Sequence, residues 1–495
     1  MSGLIRTRRV GFDKIAPAAG FACLAGPETF NPLVFRMPPR NLLLIALTIV
    51  VSLACYSVAS RNRYANLFAE AIEVIDKESL KRVSREDLFV SAMEGMLKDL
   101  DEHSMYMSGE VFQMFDEDMR QEFGGVGVYV EMDPRTKRLT VLAPMPGTPA
   151  SRSGFLPGDQ VVEIDGKSVE GLDQREVVKL LRGPVGEPFE ITFDRAGESV
   201  KIEVEREEIG VDSVHGDSRT NNGWDFHLQE HPNIGYVRLV QFGRNTATEL
   251  ADALDEMGKV DGLIIDLRNN TGGLLDVAVE VCDLFLPKGK KIVTTKVRDR
   301  ETDSVMYAVS PEKTDPTMPI CILVNRNSAS ASEVVSGCLQ DHGRVTVIGE
   351  QTWGKGTVQN VIPIQRGESA LKLTTASYWR PSGRHIDRYD EIAKETKVWG
   401  VQPDDGWKLE LSEEDIFKNS RVRYVRELKG LLTPEQLEMV QEISQLNMEA
   451  MEAKLIEAKP DQQPESDTVG PHVDLPLERA IEFMEEFLDD SHKAI

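Results

Sequence analysis

The stretch Val324-Asn325-Arg326-Asn327-Ser328-Ala329-Ser330-Ala331-Ser332-Glu333 decides how this chain folds. With Pro319-Ile320-Cys321-Ile322-Leu323 before it, it opens as a continuous apolar run, the pattern of a strand buried on both faces of a parallel sheet. After it, Ala331, Val334, Val335, Cys338 and Leu339 recur at helical spacing. Ser330 therefore stands at a strand-to-helix turn, where a helix N-terminus offers unpaired N–H groups and partial positive charge. Val345 to Gly349 reads as the next strand. It leads into Gly354-Lys355-Gly356, a glycine-flanked loop whose lysine lies 25 residues after Ser330, with Gln359 four residues further on.

A serine hydroxyl needs a neighbouring base to become a nucleophile. Burial disfavours a charged amine, so a lysine with an ordinary pKa of roughly 10.4 moves toward neutrality when desolvated and can take that proton. Ser330 and Lys355 are thus candidates for nucleophile and base, and Gln359 for the residue that orients the amine. Two plainer readings stand beside this one. Serines at helix starts are usually caps. Gly349 to Lys355 also fits the first seven places of a phosphate loop, but Gly356 stands where a magnesium-binding hydroxyl belongs.

Upstream, Val260 to Leu267 reads as another core strand, turned by Arg268-Asn269-Asn270-Thr271-Gly272-Gly273 into a helix from Leu274 to Leu286. Glycines let a backbone approach a ligand with its amides free, although a tight strand-helix connection explains them as well. Earlier still, Phe123-Gly124-Gly125-Val126-Gly127 runs into an alternating strand, followed by Pro146-Gly147-Thr148-Pro149-Ala150, Gly154 to Asp159, Val161 to Gly166 and a helix over about Gln174 to Arg182. This succession resembles a PDZ domain, in which a peptide C-terminus adds to a sheet edge while loop amides hold its carboxylate. Gly125, Val126, Gly127 and Val128 would form that loop. Arg182 is either a link to the rest of the protein or an ordinary helix-end arginine.

Together these residues resemble the carboxyl-terminal processing peptidases, whose signature is similar to V-N-x-x-S-A-S-A-S-E, then Q-D-x-x-R, then G-x-x-x-x-G-K-G-x-V-Q. Gln340, Asp341 and Arg344 supply the middle element, and the others stand in register. The resemblance implies a peptide-bond hydrolase needing no metal or cofactor. Ser330 would be its nucleophile, Lys355 its base and Gln359 the positioning residue, with an oxyanion hole from Ala331 and either Gly272 or Gly273. Leu371 to Arg384 and Gly400-Val401-Gln402-Pro403-Asp404 match later family elements; at Leu100-Asp101-Glu102-His103-Ser104, Glu102 replaces the usual proline. Because the family uses no catalytic histidine, His103 and His342 read as structural. The implied fold is a mixed α/β multidomain protein: a ClpP/crotonase-like αββ core with an inserted PDZ domain and an N-terminal helical region. Protein or peptide substrates with accessible C-termini follow as partners. A catalytically silent PDZ-bearing adaptor is the alternative.

The chain of 495 residues divides on this reading into a tail and signal or membrane segment (1–60), a helical region (61–109), the PDZ domain (110–207), the peptidase core (208–405) and an acidic helical extension (406–495). The uncharged stretch from Asn41 to Ala59 is long enough to cross a bilayer of about 30 Å. Arg6, Arg8, Arg9, Arg36 and Arg40 precede it, so it reads as a membrane anchor or a cleaved signal that delivers the body to the periplasm or cell envelope. Translation from Met37 would give it the usual signal order, and Ser52-Leu53-Ala54-Cys55 is an imperfect lipoprotein box. A net charge of −25 argues against nucleic acid as a partner. Cys282, Cys321 and Cys338 fall on apolar faces without metal-ligand spacing, with Cys321 and Cys338 expected near each other. The Leu-Glu-rich helices after Glu410 read as a solvated acidic face, with packing on the body or a homodimer as alternatives.

Overall fold

The computed structural model describes residues 38–59, 63–298, 303–458 and 472–493. Arg6, Arg8, Arg9, Arg36, Met37, Cys23 and most of the linker after Pro460 lie outside them. The chain divides into two compact units, Met1–Phe89 and Val90–Ile495.

In the first unit the apolar stretch forms a helix, Pro39–Ala59. Its side chains are described only as far as Leu53. Among the described residues no helix is long and apolar enough to cross a membrane. The helical region that follows holds two helices, Arg63–Glu78 and Arg85–Lys98, separated by the Ser79 to Ser84 turn. Phe68 of the first meets Phe89 of the second edge-on at 6.4 Å.

The second unit is built on two sheets and an inserted domain. Its central sheet runs in the order Val214–His215, His231–Leu239, Gly262–Asp266, Ile320–Val324, Thr346–Gly349. All pairings from His231–Leu239 onward are parallel. Every residue of Gly262–Asp266 and Ile320–Val324 is buried, as apolar runs covered on both faces should be. One face carries the helices Thr246–Met257, Leu275–Asp283 and Ala331–Asp341 over Leu263, Ile265, Ile322 and Val324. The other is covered from far away in sequence. Leu477, Ala480 and Met484 of helix Leu475–Lys493 pack on Tyr236, Ile264, Cys321, Leu323 and Ile348.

The second sheet joins Met105–Met107, Ser369–Trp379, Lys291–Val297 and Ser304–Tyr307, with Thr357–Ile364 also pairing with Ser369–Trp379. The described core thus takes in residues from both flanking segments, and the expected boundaries at 109 and 405 cut through it. Strand alternation hid Met105–Met107, which is only three residues long.

The sheet of the inserted domain runs Val128–Met132, Leu139–Pro144, Gln160–Ile164, Pro188–Arg195, Glu198–Glu205. Its helix, Gln174–Leu181, starts with a capping box between Asp173 and Glu176 and ends before Gly183. Chain enters and leaves this domain through a two-stranded ribbon, Glu122–Gly125 against Glu207–Gly210. Val130 and Val141 face its core; Tyr129, Leu142 and Ala143 belong to the opposite face.

That opposite face is covered by the tail helices Glu413–Leu428 and Pro434–Ala458, through Tyr424, Leu428, Val440 and Ile443. Asn419, Arg423 and Glu427 are buried. Arg423 reaches Asp217 at 2.9 Å, and Glu427 accepts from Arg238 at 2.5 Å. The solvated acidic face is therefore incorrect for this segment. Basic residues at 421, 423 and 426 sit among the acids, and composition averaged over the tail conceals their pairing with Glu131 and Asp217. The thiol expectation also changes. Cys321 lies under helix Leu475–Lys493, whereas Cys338 is on the other face of the sheet, its free thiol in hydrogen-bond contact with that of Cys282.

Candidate active site

Ser330 ends the turn after strand Ile320–Val324 and caps helix Ala331–Asp341 with φ 57° and ψ −115°. This left-handed backbone is costly for a residue with a Cβ, of the order of 1–3 kcal/mol, and persists only where its surroundings impose it. They do. Ala329 N–H donates to Asn270 O at 3.0 Å, and the hydroxyls of Ser328 and Ser332 donate to Leu267 O and Asn270 O, each at 2.8 Å. The serines flanking Ser330 thus stitch its turn to Leu267 and to the Arg268–Gly273 loop that follows it.

That loop comes close because it is glycine there. A Cβ on Gly272, which has φ 106°, would sit 2.7 Å from Ser330 Cβ and 3.0 Å from Ala331 N. Gly272 N–H is occupied by Asn270 Oδ1 at 2.8 Å. The amides of Gly273 and Ala331 have no acceptor among the described residues.

Lys355 follows strand Thr346–Gly349 on a segment without regular structure, and one carboxylate holds that segment in place. Glu333, fully buried in the first turn of the serine's helix, accepts from Thr352 Oγ1 at 2.5 Å, Gly354 N at 2.6 Å, Lys355 N at 2.9 Å and Ser330 N at 2.8 Å. The last two donate to the same oxygen, Oε2. Burial pushes the Glu333 carboxyl up to about 7, against these hydrogen bonds. The amides of Gly354 and Lys355 are thereby consumed by a side chain, which leaves no phosphate cradle in the loop and argues against the nucleotide reading. Glu333 was legible as the acid of an S-x-x-E capping pattern but received no role from sequence.

Burial brings Lys355 down to about 8, and repulsion from Lys372 adds to the effect. Its Nζ has no hydrogen-bond or carboxylate partner among the described residues. Tyr378, buried on the second sheet, donates its hydroxyl toward Ser330 O, at 3.2 Å, and Lys355 O. Gln359 does not contact the lysine amine. Its Nε2 donates to Thr357 Oγ1 at 2.9 Å and Thr374 Oγ1 at 3.1 Å. Thr374 donates in turn to Asp101 at 3.1 Å, which brings the Asp101–Ser104 turn to this strand. Burial and the charge of Lys355 lower His103.

Of the other singled-out residues, Asp341 pairs with Arg380, Gln340 holds Gln402 O, Arg344 holds Met318 O, and His342 Nε2 meets Lys291 O at 2.7 Å. All four are fastenings of the helix end. In the PDZ domain Gly127 has φ 72°, and the amides of Val126 and Gly127 have no acceptor among the described residues. Gly125 pairs with Glu207 on the ribbon, and Val128 begins a strand with one edge unpaired. The Arg182 guanidinium lies 4.1 Å over the Phe123 ring.

Residues 233–405 match the family described as peptidase family S41, and residues 140–195 match the PDZ domain. The carboxy-terminal-processing protease of Bartonella bacilliformis is 37% identical over 354 residues, which cover 69% of this chain and 77% of that one. The chain belongs to the carboxy-terminal-processing protease family. It is accordingly a serine peptidase of mixed α/β fold with a PDZ domain. The carboxy-terminal processing protease CtpA of Bacillus subtilis is 34% identical over 323 residues, covering 64% of this chain and 66% of the relative. Among solved structures, a photosystem II D1 C-terminal processing protease aligns at 27% identity with a TM-score of 0.37, over 70% of this chain and 92% of its own.

Proposed function

We propose that this family member is an endopeptidase in which Ser330 is the nucleophile and Lys355 the general base, acting on exported proteins presented by the PDZ domain. The observation that carries this reading is the shared grip of Glu333 Oε2 on the amides of Ser330 and Lys355, which holds the two residues' backbones side by side. Neutral Lys355 accepts the hydroxyl proton as Ser330 Oγ attacks the scissile carbonyl. The amides of Ala331 and Gly273 hold the oxyanion; the occupied Gly272 amide favours Gly273 for this part. The lysinium then protonates the leaving amine. Water, activated by the same lysine, attacks the ester carbonyl and releases the acyl group.

Gln359 acts through its neighbours in this scheme, fixing Thr374 and the Asp101 turn beside the lysine rather than touching the amine. A substrate C-terminus docks with its carboxylate on the amides of Val126 and Gly127, between Gly125 and Val128, and its chain extends along the free edge of Val128–Met132. The arginines before Asn41 support export to the periplasm or cell envelope. The test compares the wild-type chain with Ser330→Ala and Lys355→Ala on unfolded casein, with peptides followed by mass spectrometry. Each variant should lose activity on the order of a thousandfold or more. A Ser330→Ala chain that cleaves at the wild-type rate contradicts the proposal.

A further inference from the structure

The segment that carries the base also carries an exposed aromatic residue. Trp353, 39% exposed, sits between Thr352 and Gly354, both held by Glu333, and its own amide donates to Ser328 O at 3.0 Å, two residues before the nucleophile. Beside it, Arg388 N–H donates to Gly354 O at 2.9 Å, one residue from Lys355. The Arg388 guanidinium carbon lies 4.4 Å from the Trp353 ring centroid and 5.1 Å from that of Tyr389, which is also exposed.

This cation has no carboxylate of its own. Its neighbours' acids are engaged elsewhere: Asp387 accepts from Tyr389 N at 2.8 Å, and Asp390 accepts from His385 Nδ1 at 3.1 Å and Ile392 N at 2.9 Å. Among the described residues Arg388 forms no ion pair. In a chain with 82 acidic and 57 basic side chains, an arginine left unpaired beside the catalytic loop is available for a ligand's acid. Aromatic stacking costs it none of its N–H donors, because the guanidinium plane stacks while its edge stays free to bond.

We propose that Arg388, held in place by Trp353 and Tyr389, is a specificity-determining residue that binds a carboxylate of the peptide substrate near the scissile bond. The carboxylate belongs to an acidic side chain or to the substrate's own C-terminus. This inference rests on the serine-lysine reading for its place in the reaction, and the experiment has an arm that does not.

Peptides are made in sets that differ only in Glu against Gln at one position, or in a free against an amidated C-terminus, starting from a sequence that the wild-type chain cleaves. Arg388→Gln should lower kcat/KM about tenfold for the carboxylate-bearing peptides, mainly through KM, and leave the neutral ones within about twofold; Arg388→Lys should recover part of the loss. The set in which the loss appears, Glu or free terminus, identifies the source. The second arm measures binding of the same labelled peptides to the full-length Ser330→Ala chain, with and without Arg388→Gln. It needs no turnover, so it stands if the catalytic assignment fails. Equal losses on charged and neutral peptides overturn the proposal, as does a carboxylate preference that Arg388→Gln leaves intact, which would belong to the PDZ loop.

Discussion

The Ser330 turn and the lysine loop lie side by side but are held by different means. The turn is fixed redundantly: it follows a fully buried central strand, and Ser328, Ala329 and Ser332 each bond the neighbouring loop. The lysine loop has no regular structure between Gln351 and Gly356, and much of its grip on the turn passes through the single carboxylate of Glu333. Strain is stored at Ser330, where several residues supply the ties, whereas three donors of the lysine loop converge on one carboxylate.

The largest effect that would sharpen this contrast is expected at Glu333. Glu333→Gln keeps the shape but cannot accept four donors, and a displacement of about 1 Å at Lys355 should cost on the order of a hundredfold in kcat. The folded state should persist, checked by an unchanged circular dichroism spectrum. Ser332→Ala, which removes one of several ties on the turn, should cost about tenfold at most; equal losses for the two would erase the distinction.

The pH dependence comes next. On the proposed mechanism Lys355 must be neutral to act, and its pKa is lowered to about 8. Below that value the reactive fraction falls about tenfold per unit, so kcat/KM should rise with pH and level off above about 8. Glu333, raised to about 7, works in the same sense, because its ionised form grips the loop and is lost as pH falls. Lys372→Met removes the second cation and should move the rising limb to higher pH in a kcat/KM profile. An unmoved limb would mean that burial alone sets the lysine.

A smaller effect is expected from Tyr378→Phe, which deletes the hydroxyl lying between Ser330 O and Lys355 O. The loss of about 1 kcal/mol corresponds to several-fold in kcat. Met484→Ala should leave the turnover of folded protein nearly unchanged. It empties space behind the nucleophile strand, so stability should fall by about 2–5 kcal/mol in denaturant titration.

The sequence made the nucleophile turn easy to read because both of its signals are local: an apolar strand run, then a small-residue helix start. The PDZ elements were legible for the same reason, each turn and strand being only a few residues long. What stayed hidden was long-range. Nothing in Leu475–Lys493 announces that Met484 covers Ile264 and Leu323, since an amphipathic acidic helix looks alike whether it faces a sheet or a second chain. Glu333 was quoted within the motif, yet its partners come from a loop some twenty residues away that has no periodicity to read. Gln359 shows the converse: its spacing from Lys355 suggested a direct contact, but strand pairing opposite Thr374 turns its amide to that threonine.

The most direct test of the dyad is the rate at which a fluorophosphonate probe labels the full-length chain between pH 6 and 10, with the modified residue mapped by mass spectrometry. The account predicts labelling of Ser330, a rate that rises with an apparent pKa of about 8, and loss of that labelling in Lys355→Ala. Labelling at another serine, or a Ser330 rate that Lys355→Ala leaves unchanged, would contradict it.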